Sequence, residues 1–503
     1  MKTKIIIIGS GGAGLTAAIA AANPNTEVLV LSKTSCGTNC ATTFSSGIFT
    51  LASGKITKRE RYEKLMEIGQ NLNSPDLVRF LVYNAEDGLK KIQSWGVGVR
   101  FPSDGLASVR HTSTHKFMGG EGMIAQLVTI AKSKGVKFIS STVATKLLCD
   151  ENGICGVRCV NWQNGRSELL FADAVIIATG GAGQIFSRTD NPRRLTGDGF
   201  ALALDIGLEL IDMEFTQFYP MGWADKALPV WMADMTLADY APVTDAEGEE
   251  FLMNALHSWG YKSGNEGNFY ARDRAAALIA IKDAQSGVYF HLEQVSEDQW
   301  HDKGFIRSLI LNVNRFKDIH RPVRVAPIHH YFCGGIKINN ETRTELPNLF
   351  ACGEVTGGID GANRVGGNAL ANIITFGLRA GKMAAATPPR GAYTKANIAE
   401  KLPVFRENMA SPSEIRSKLQ KKMWKCLGPI RTKEGITQAI DFLQTIESVP
   451  LTVKTRKDLL EALEMPGLLK SAMSVALAAL KREKSCGTHF IANCTGFQTI
   501  TIG

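Results

Sequence analysis

The residue types most able to do chemistry cluster at the start of the chain. Gly9-x-Gly11-x-x-Gly14 follows an isoleucine run at 5–8 and leads into helix formers at 15–22, after which the apolar run 28–31 reads as a second strand. A strand, turn, helix, strand unit of this kind can seat a pyrophosphate. Gly9 permits the tight turn, Gly11 lets phosphates approach the backbone, and Gly14 brings the helix close to the strand. Gly12 lies at the helix N-terminus, where free N–H groups and the helix dipole favour an anion. Ser32, followed by Lys33, stands where an acidic ribose ligand is common, so the turn alone also fits an α/β protein without such a ligand. Two later apolar strands end in the same way, at Thr179-Gly180-Gly181 and at Cys352-Gly353-Glu354. Three strands hundreds of residues apart, each closing on glycine, predict one sheet with a ligand at its carboxyl ends.

Further segments follow in order: Thr179-Gly-Gly-Ala-Gly-Gln-Ile-Phe186, Thr196-Gly-Asp198-Gly199, Gln217-Phe-Tyr219-Pro-Met-Gly222, His330-Tyr-Phe-Cys-Gly-Gly335 and Asp360-Gly-Ala-Asn-Arg364-Val-Gly-Gly-Asn368-Ala369. In order and spacing they resemble the FAD-dependent flavoprotein subunits of succinate dehydrogenase and fumarate reductase, together with L-aspartate oxidase. The likeness runs nearly end to end, and includes Ser485-Cys-Gly-Thr-His489 where that family usually has Ser-Arg-Gly-x-His. The resemblance implies an α/β fold: a Rossmann-like two-dinucleotide-fold FAD domain at 1–220 and 331–390, an inserted α+β capping domain at 221–330, and a C-terminal helical domain at 391–503. It implies FAD contacts from Gly9, Gly11, Gly12, Gly14, Ser32, Lys33, Thr179, Gly180, Gly181 and Asp198, with Glu354 near the ribityl chain. Asn368 and Ala369 then open a helix whose N-terminus faces the flavin pyrimidine ring, where its dipole stabilises the charge of reduced flavin.

Members of the family hold two carboxylates with a pair of histidines and an arginine, and protonate with a second arginine. His330 and Arg364 match part of that set; their bland alternatives are a satisfied core histidine and a loop tie. Tyr219 replaces the histidine of Gln-Phe-His-Pro-Thr-Gly, and Ala277 falls at the proton-donor position of Arg-Asp-x-x-x-Arg in Arg272-Asp-Arg-Ala-Ala-Ala277. The candidate substitutes are Arg274, one turn earlier on that helix, with Asp360 and Tyr219; a solvated surface residue is the alternative for Arg274. Cys40 occupies the position of the family's flavin-linking histidine, which excludes a histidyl link and leaves noncovalent FAD, with a Cys40 thioether as the alternative. The expected activity is hydride transfer between flavin N5 and a small carboxylate-bearing substrate. The alternative is an electron-transfer or assembly subunit docking to an iron–sulfur partner.

The wider chain fits these expectations. Its 503 residues are 44% apolar, enough for several packed units, and 57 Lys and Arg against 48 Asp and Glu give a net charge of +9, too modest for a nucleic-acid binder. Seventeen basic against ten acidic residues lie in 391–503, a face for a partner or for peripheral association with the inner side of a membrane. Ten dispersed cysteines with no Cys-x-x-Cys pair point to a reducing, cytoplasmic setting and to no metal or cluster site. The uncharged run 5–22 imitates a signal or membrane-spanning segment, but four glycines and a serine interrupt it, and its isoleucines suit a buried parallel strand. Trp223, Trp231, Trp259 and Trp300 mark the capping region, and Thr387-Pro-Pro-Arg-Gly391 reads as a linker. Helical periodicity is expected around 403–425, 433–447 and 454–483, with Pro403, Pro412, Pro429, Pro450 and Pro466 near ends or kinks.

Overall fold

A computed structural model describes residues 2–109, 119–390 and 409–492. Five parallel strands form the central sheet in the order Leu349–Ala351, Ala174–Ile177, Thr3–Ile8, Thr26–Leu31, Lys137–Ile139. Thr3–Ile8 is central, and its isoleucines are almost wholly buried, because both faces of a parallel sheet are covered. The helices Gly12–Ala21 and Asn368–Ala385 pack against each other beside this sheet. An antiparallel meander, Thr142–Asp150, Gly153–Asn161 and Ser167–Phe171, stands next to it.

A second hydrophobic core draws its residues from between Met221 and Val325. It is built on a four-stranded antiparallel sheet in the order Thr216–Trp223, Val323–Phe332, Val288–Phe290, Val243–Asp245, against which the helix Arg272–Gln285 packs. Trp223 anchors that core, its ring centroid 5.0 Å from Phe316 and 6.4 Å from Phe290. The two long strands continue past it toward the first core, and carry Tyr219 and His330 with them.

The C-terminal helices are Pro412–Leu427, Lys433–Glu447 and Arg456–Lys481. The first starts later than its periodicity predicts because Ser411 and Glu414 form a capping box around Pro412, a strong start signal; Pro403 and the rest of 403–408 lie outside the described residues. Pro466 ends nothing and sits inside the longest helix. That helix is long and apolar enough to cross a membrane, yet 56% of its apolar window is buried, and Glu461 and Glu464 on it are buried and ion-paired. These are the marks of a core helix.

Candidate functional site

The carboxyl ends of the central strands open onto a cleft lined by the glycine turn, Ser32, Lys33, Cys40, Thr42, Thr179, Gly180, Arg194, Asp198 and Glu354. The glycines divide by role. Gly9 has φ +114°, and a Cβ on Gly14 would lie 2.0 Å from the Gly9 carbonyl oxygen, so the protein's own packing demands both. A Cβ on Gly11 would meet only the Cys40 side chain, at 3.5 Å, an ordinary contact. The room beside Gly11 is therefore kept for something other than protein. The N-cap residue of the helix behind it, Gly11, brings no side chain to the N-terminal N–H groups, of which that of Gly12 donates to the Thr42 hydroxyl at 3.3 Å, and the Thr179 hydroxyl is buried without a partner. A helix N-terminus, an orphaned hydroxyl and an open glycine fit the pyrophosphate and ribose of FAD. When bound, FAD supplies a two-electron hydride acceptor and donor.

Other predicted cofactor residues sit around this cleft in different ways. The Ser32 hydroxyl bonds that of Ser10 at 2.8 Å. Lys33 is held by Asp198 at 2.8 Å, Glu464 at 3.0 Å and the Thr196 hydroxyl at 2.7 Å, and Arg194 also reaches Glu464, at 2.8 Å. Glu354 accepts from the Phe332 N–H at 3.1 Å and occupies the space next to Gly181, which faces that carboxyl rather than open room. Burial pushes Glu354 up to about 7. Asn368 turns its side chain to the protein, giving to Asp360 at 2.8 Å and accepting from Arg61 at 3.1 Å, while Ala369 packs with Tyr331 and Cys333. Burial raises the Cys40 thiol, so it is a neutral thiol and a poor nucleophile.

The second site is assembled from five distant segments. Tyr219 is wholly buried; its hydroxyl donates to Asn268 Oδ1 at 2.7 Å and accepts from the Met235 N–H at 3.0 Å. Burial, with Asp234 adding, pushes that phenol up, so Tyr219 stays neutral and its hydroxyl is engaged on both sides. Its ring lies 4.8 Å from the Arg272 guanidinium and 5.6 Å from the His330 ring. Arg364 stacks over Tyr331 at 4.2 Å and donates to Gln217 Oε1 at 3.1 Å. His330 Nδ1 lies 2.7 Å from Asp190 Oδ2. Asp360 is buried and raised by that burial, against the pull of Arg364 and of its bonds from Asn368 and Tyr331.

Arg272, not Arg274, is the cation that joins this cluster. Arg274 is half-buried against Trp259, 6.0 Å away, on another face of the helix. Arg272 is buried and bonded to Asn268 O at 2.6 Å and Asn268 Oδ1 at 2.9 Å. Burial lowers it to about 10, so it remains a cation at neutral pH. Two of the cluster's donors, Arg272 Nη1 and Arg364 Nε, are buried with no partner. The sequence held a signal for Arg272: it falls on the stripe it shares with Ala275, Ala276 and Ile279, the buried face of that helix. Asp190, Asn268, Asp234 and Arg61 carried no comparable signal, since each acts through a neighbour distant in sequence.

A split Rossmann-like domain with a pyrophosphate cleft, overlain by a capping sheet, defines an FAD-dependent oxidoreductase. Residues 4–370 match the FAD binding domain family and residues 416–495 the fumarate reductase flavoprotein C-terminal family, and the chain belongs to the fumarate reductase and succinate dehydrogenase flavoprotein family. It is 31% identical to a subunit of fumarate reductase (CoM/CoB) from Methanothermobacter marburgensis, over 97% of this chain and 94% of that one. It is 27% identical to L-aspartate oxidase of Streptomyces coelicolor, over 97% and 88%. In structure it matches quinol fumarate reductase FrdA of E. coli with a TM-score of 0.83 at 24% identity, over 100% and 93% of the two chains. Sdh1 of Mycobacterium smegmatis matches with a TM-score of 0.80 at 26% identity, over 98% and 89%.

Proposed function

We propose that the protein transfers hydride between noncovalently held FAD and a small carboxylate-bearing substrate, which Arg364 and Arg272 grip between the cofactor and the capping sheet. The observation that carries this reading is the pair of orphaned guanidinium donors. A buried N–H without a partner costs about 1–3 kcal/mol, and an incoming carboxylate removes that cost at both arginines with charge-assisted bonds. Gln217 and Tyr331 hold Arg364 in place, and Asn268 holds Arg272. Tyr219, with its hydroxyl already committed, shapes the pocket and gives no cationic contact. The pocket is thus altered from the family pattern at the position of one histidine.

Stopped-flow mixing of the photoreduced protein with fumarate, crotonate, cinnamate and iminoaspartate tests this directly. At least one should reoxidise the flavin, and its methyl ester should not. Equal reoxidation by acid and ester would remove the carboxylate from the reading. The names of the relatives, most of them subunits of a larger enzyme, support a physiological electron partner, for which the basic C-terminal region offers a docking face. The second reading, an electron-transfer subunit without turnover of its own, is favoured by the committed Tyr219 hydroxyl. It predicts reoxidation by one-electron acceptors and by none of the carboxylates.

A further inference from the structure

The polar groups around Tyr219 are already matched to one another, while those beside Arg364 are not. The Tyr219 hydroxyl is bonded on both sides, by Asn268 Oδ1 and the Met235 N–H. Asn268 gives its Nδ2 to Asp234 Oδ1 at 3.0 Å, and that oxygen also accepts from the Thr236 N–H at 2.9 Å. Gln217 Nε2 goes to Asn363 Oδ1 and to the Arg364 carbonyl, both at 2.8 Å. Past the tyrosine the strand continues through Met221, where the family motif has threonine, and Ala233 donates its N–H to the Met221 carbonyl at 3.0 Å. Met221, Ala233 and Met235 are all apolar and wholly buried. Left over in the cluster are the two guanidinium donors, Arg272 Nη1 and Arg364 Nε. One glycine-rich loop brings them together, since a Cβ on Gly366 would lie 3.1 Å from Arg272 Nη2.

We propose that the substrate carries a single carboxylate, gripped by Arg364 and Arg272, with a neutral group at the end toward Tyr219, and that the pocket selects against a second carboxylate. The inference rests on the carboxylate-oxidoreductase reading above and narrows its substrate class to monocarboxylates. The donors set the number. Two unpartnered N–H groups match the two oxygens of one carboxylate. A second carboxylate at the tyrosine end would enter a buried, apolar surrounding whose polar groups are already bonded, with nothing to replace the water it gave up. A neutral amide or alkyl end carries no charge to desolvate.

Charge points the same way. Around the Tyr219 phenol stand Asp234 and Asp190 against Arg272. Around His330 stand Asp190 against Arg364 and Arg272, and burial lowers that imidazole below its usual range, so it adds no fixed positive charge. Asp360, also close to Arg364, is raised by its burial and has Arg61 nearby. Two arginines thus face two aspartates before any ligand enters, and one bound carboxylate already makes the pocket net negative. A second would add repulsion to the cost of its desolvation.

Malonate, malonamate and malonamide are nearly isosteric and carry two, one and no carboxylates, so they separate charge from size. Titrated into the oxidised holoprotein at neutral pH and read as a flavin spectral shift, malonamate should bind at least about tenfold more tightly than malonate. Malonamide should bind about ten- to several-hundred-fold more weakly than malonamate. Reoxidation of the photoreduced protein at limiting concentration should be faster with fumaramate than with fumarate, and slowest with fumaramide. Tyr219→His combined with Met221→Thr, which writes the family motif back, should bring malonate and malonamate to within about threefold of each other. The wild-type titration decides the matter should that variant fail to retain FAD. Malonate bound as tightly as malonamate by the wild type, or a preference unchanged in the variant, overturns the single-carboxylate assignment and leaves the carboxylate reading standing. Malonamide bound as tightly as malonamate overturns both, as does the lack of any response to the whole set in binding and in reoxidation.

Discussion

The cofactor cleft and the substrate pocket were built under different constraints. The cleft is made of backbone: glycines, a helix N-terminus and the ends of parallel strands, features that short contiguous runs of sequence dictate. The pocket is made of side chains from segments around 190, 217–219, 268–272, 330 and 364, each oriented by a neighbour from another segment. A site of backbone tolerates almost no change of residue type, whereas one of side chains can be rewritten one contact at a time while the fold stands.

The largest effect that sharpens this contrast belongs to Gly14→Val. Its side chain would press on the Gly9 carbonyl at 2.0 Å, and overpacking of this kind typically costs about 1–3 kcal/mol and more against backbone, so expression should yield insoluble protein. Gly11→Val should instead stay folded, with a circular dichroism spectrum unchanged, and lose FAD by at least about 100-fold in affinity, since the valine displaces the pyrophosphate alone. Equal damage from both would mean that Gly11 is structural too. Next comes Arg364→Lys, which keeps the charge but not the fork. It should retain FAD and weaken malonate, read as a flavin spectral shift, by about ten- to several-hundred-fold. FAD loss with unchanged malonate affinity would show the arginine to be a loop tie.

Glu354 separates the two regions by pH. Its folded carboxyl titrates near 7 against 4.5 for the ordinary group, so the folded apoprotein holds a proton the unfolded chain has released. Its contribution to stability is greatest below 4.5, is lost as pH rises to about 7, and is level beyond. That amounts to about 3 kcal/mol. Glu354→Gln should flatten this part of the apoprotein's denaturation profile between pH 5 and 8; an unchanged slope would place the proton elsewhere. The smallest effect expected is that of Arg274→Ala, which should leave turnover within about twofold, where Arg272→Ala removes it.

The same contrast governs what could be read from the amino acids. The three glycine-ended strands, the order of the flavin segments and the positions of Arg364 and His330 were legible because each is a local pattern with a local cause. Arg274 looked eligible because spacing on a helix fixes which residues share a face, but not which face is turned inward; the apolar stripe through Arg272 decides that. Asp190 was invisible for a plainer reason. Nothing in Thr-Asp-Asn-Pro announces that a histidine 140 positions later will lie within hydrogen-bond reach. Asn268 and Asp234 likewise acquire meaning only through the partners that the capping sheet brings to them.

The bridge from Lys33 and Arg194 to Glu464 has a consequence for how the protein is made. The cleft's first wall leaves the ribosome within the first forty residues, yet the second of the two carboxylates that hold its lysine is synthesised more than four hundred residues later. A nascent chain carries the glycine turn, Lys33 with Asp198 but not yet Glu464, Arg194 without Glu464, and no finished edge strand until Leu349–Ala351 emerges. Cofactor capture therefore belongs to the end of synthesis, when the last long helix closes over a cleft whose opening lines were written first.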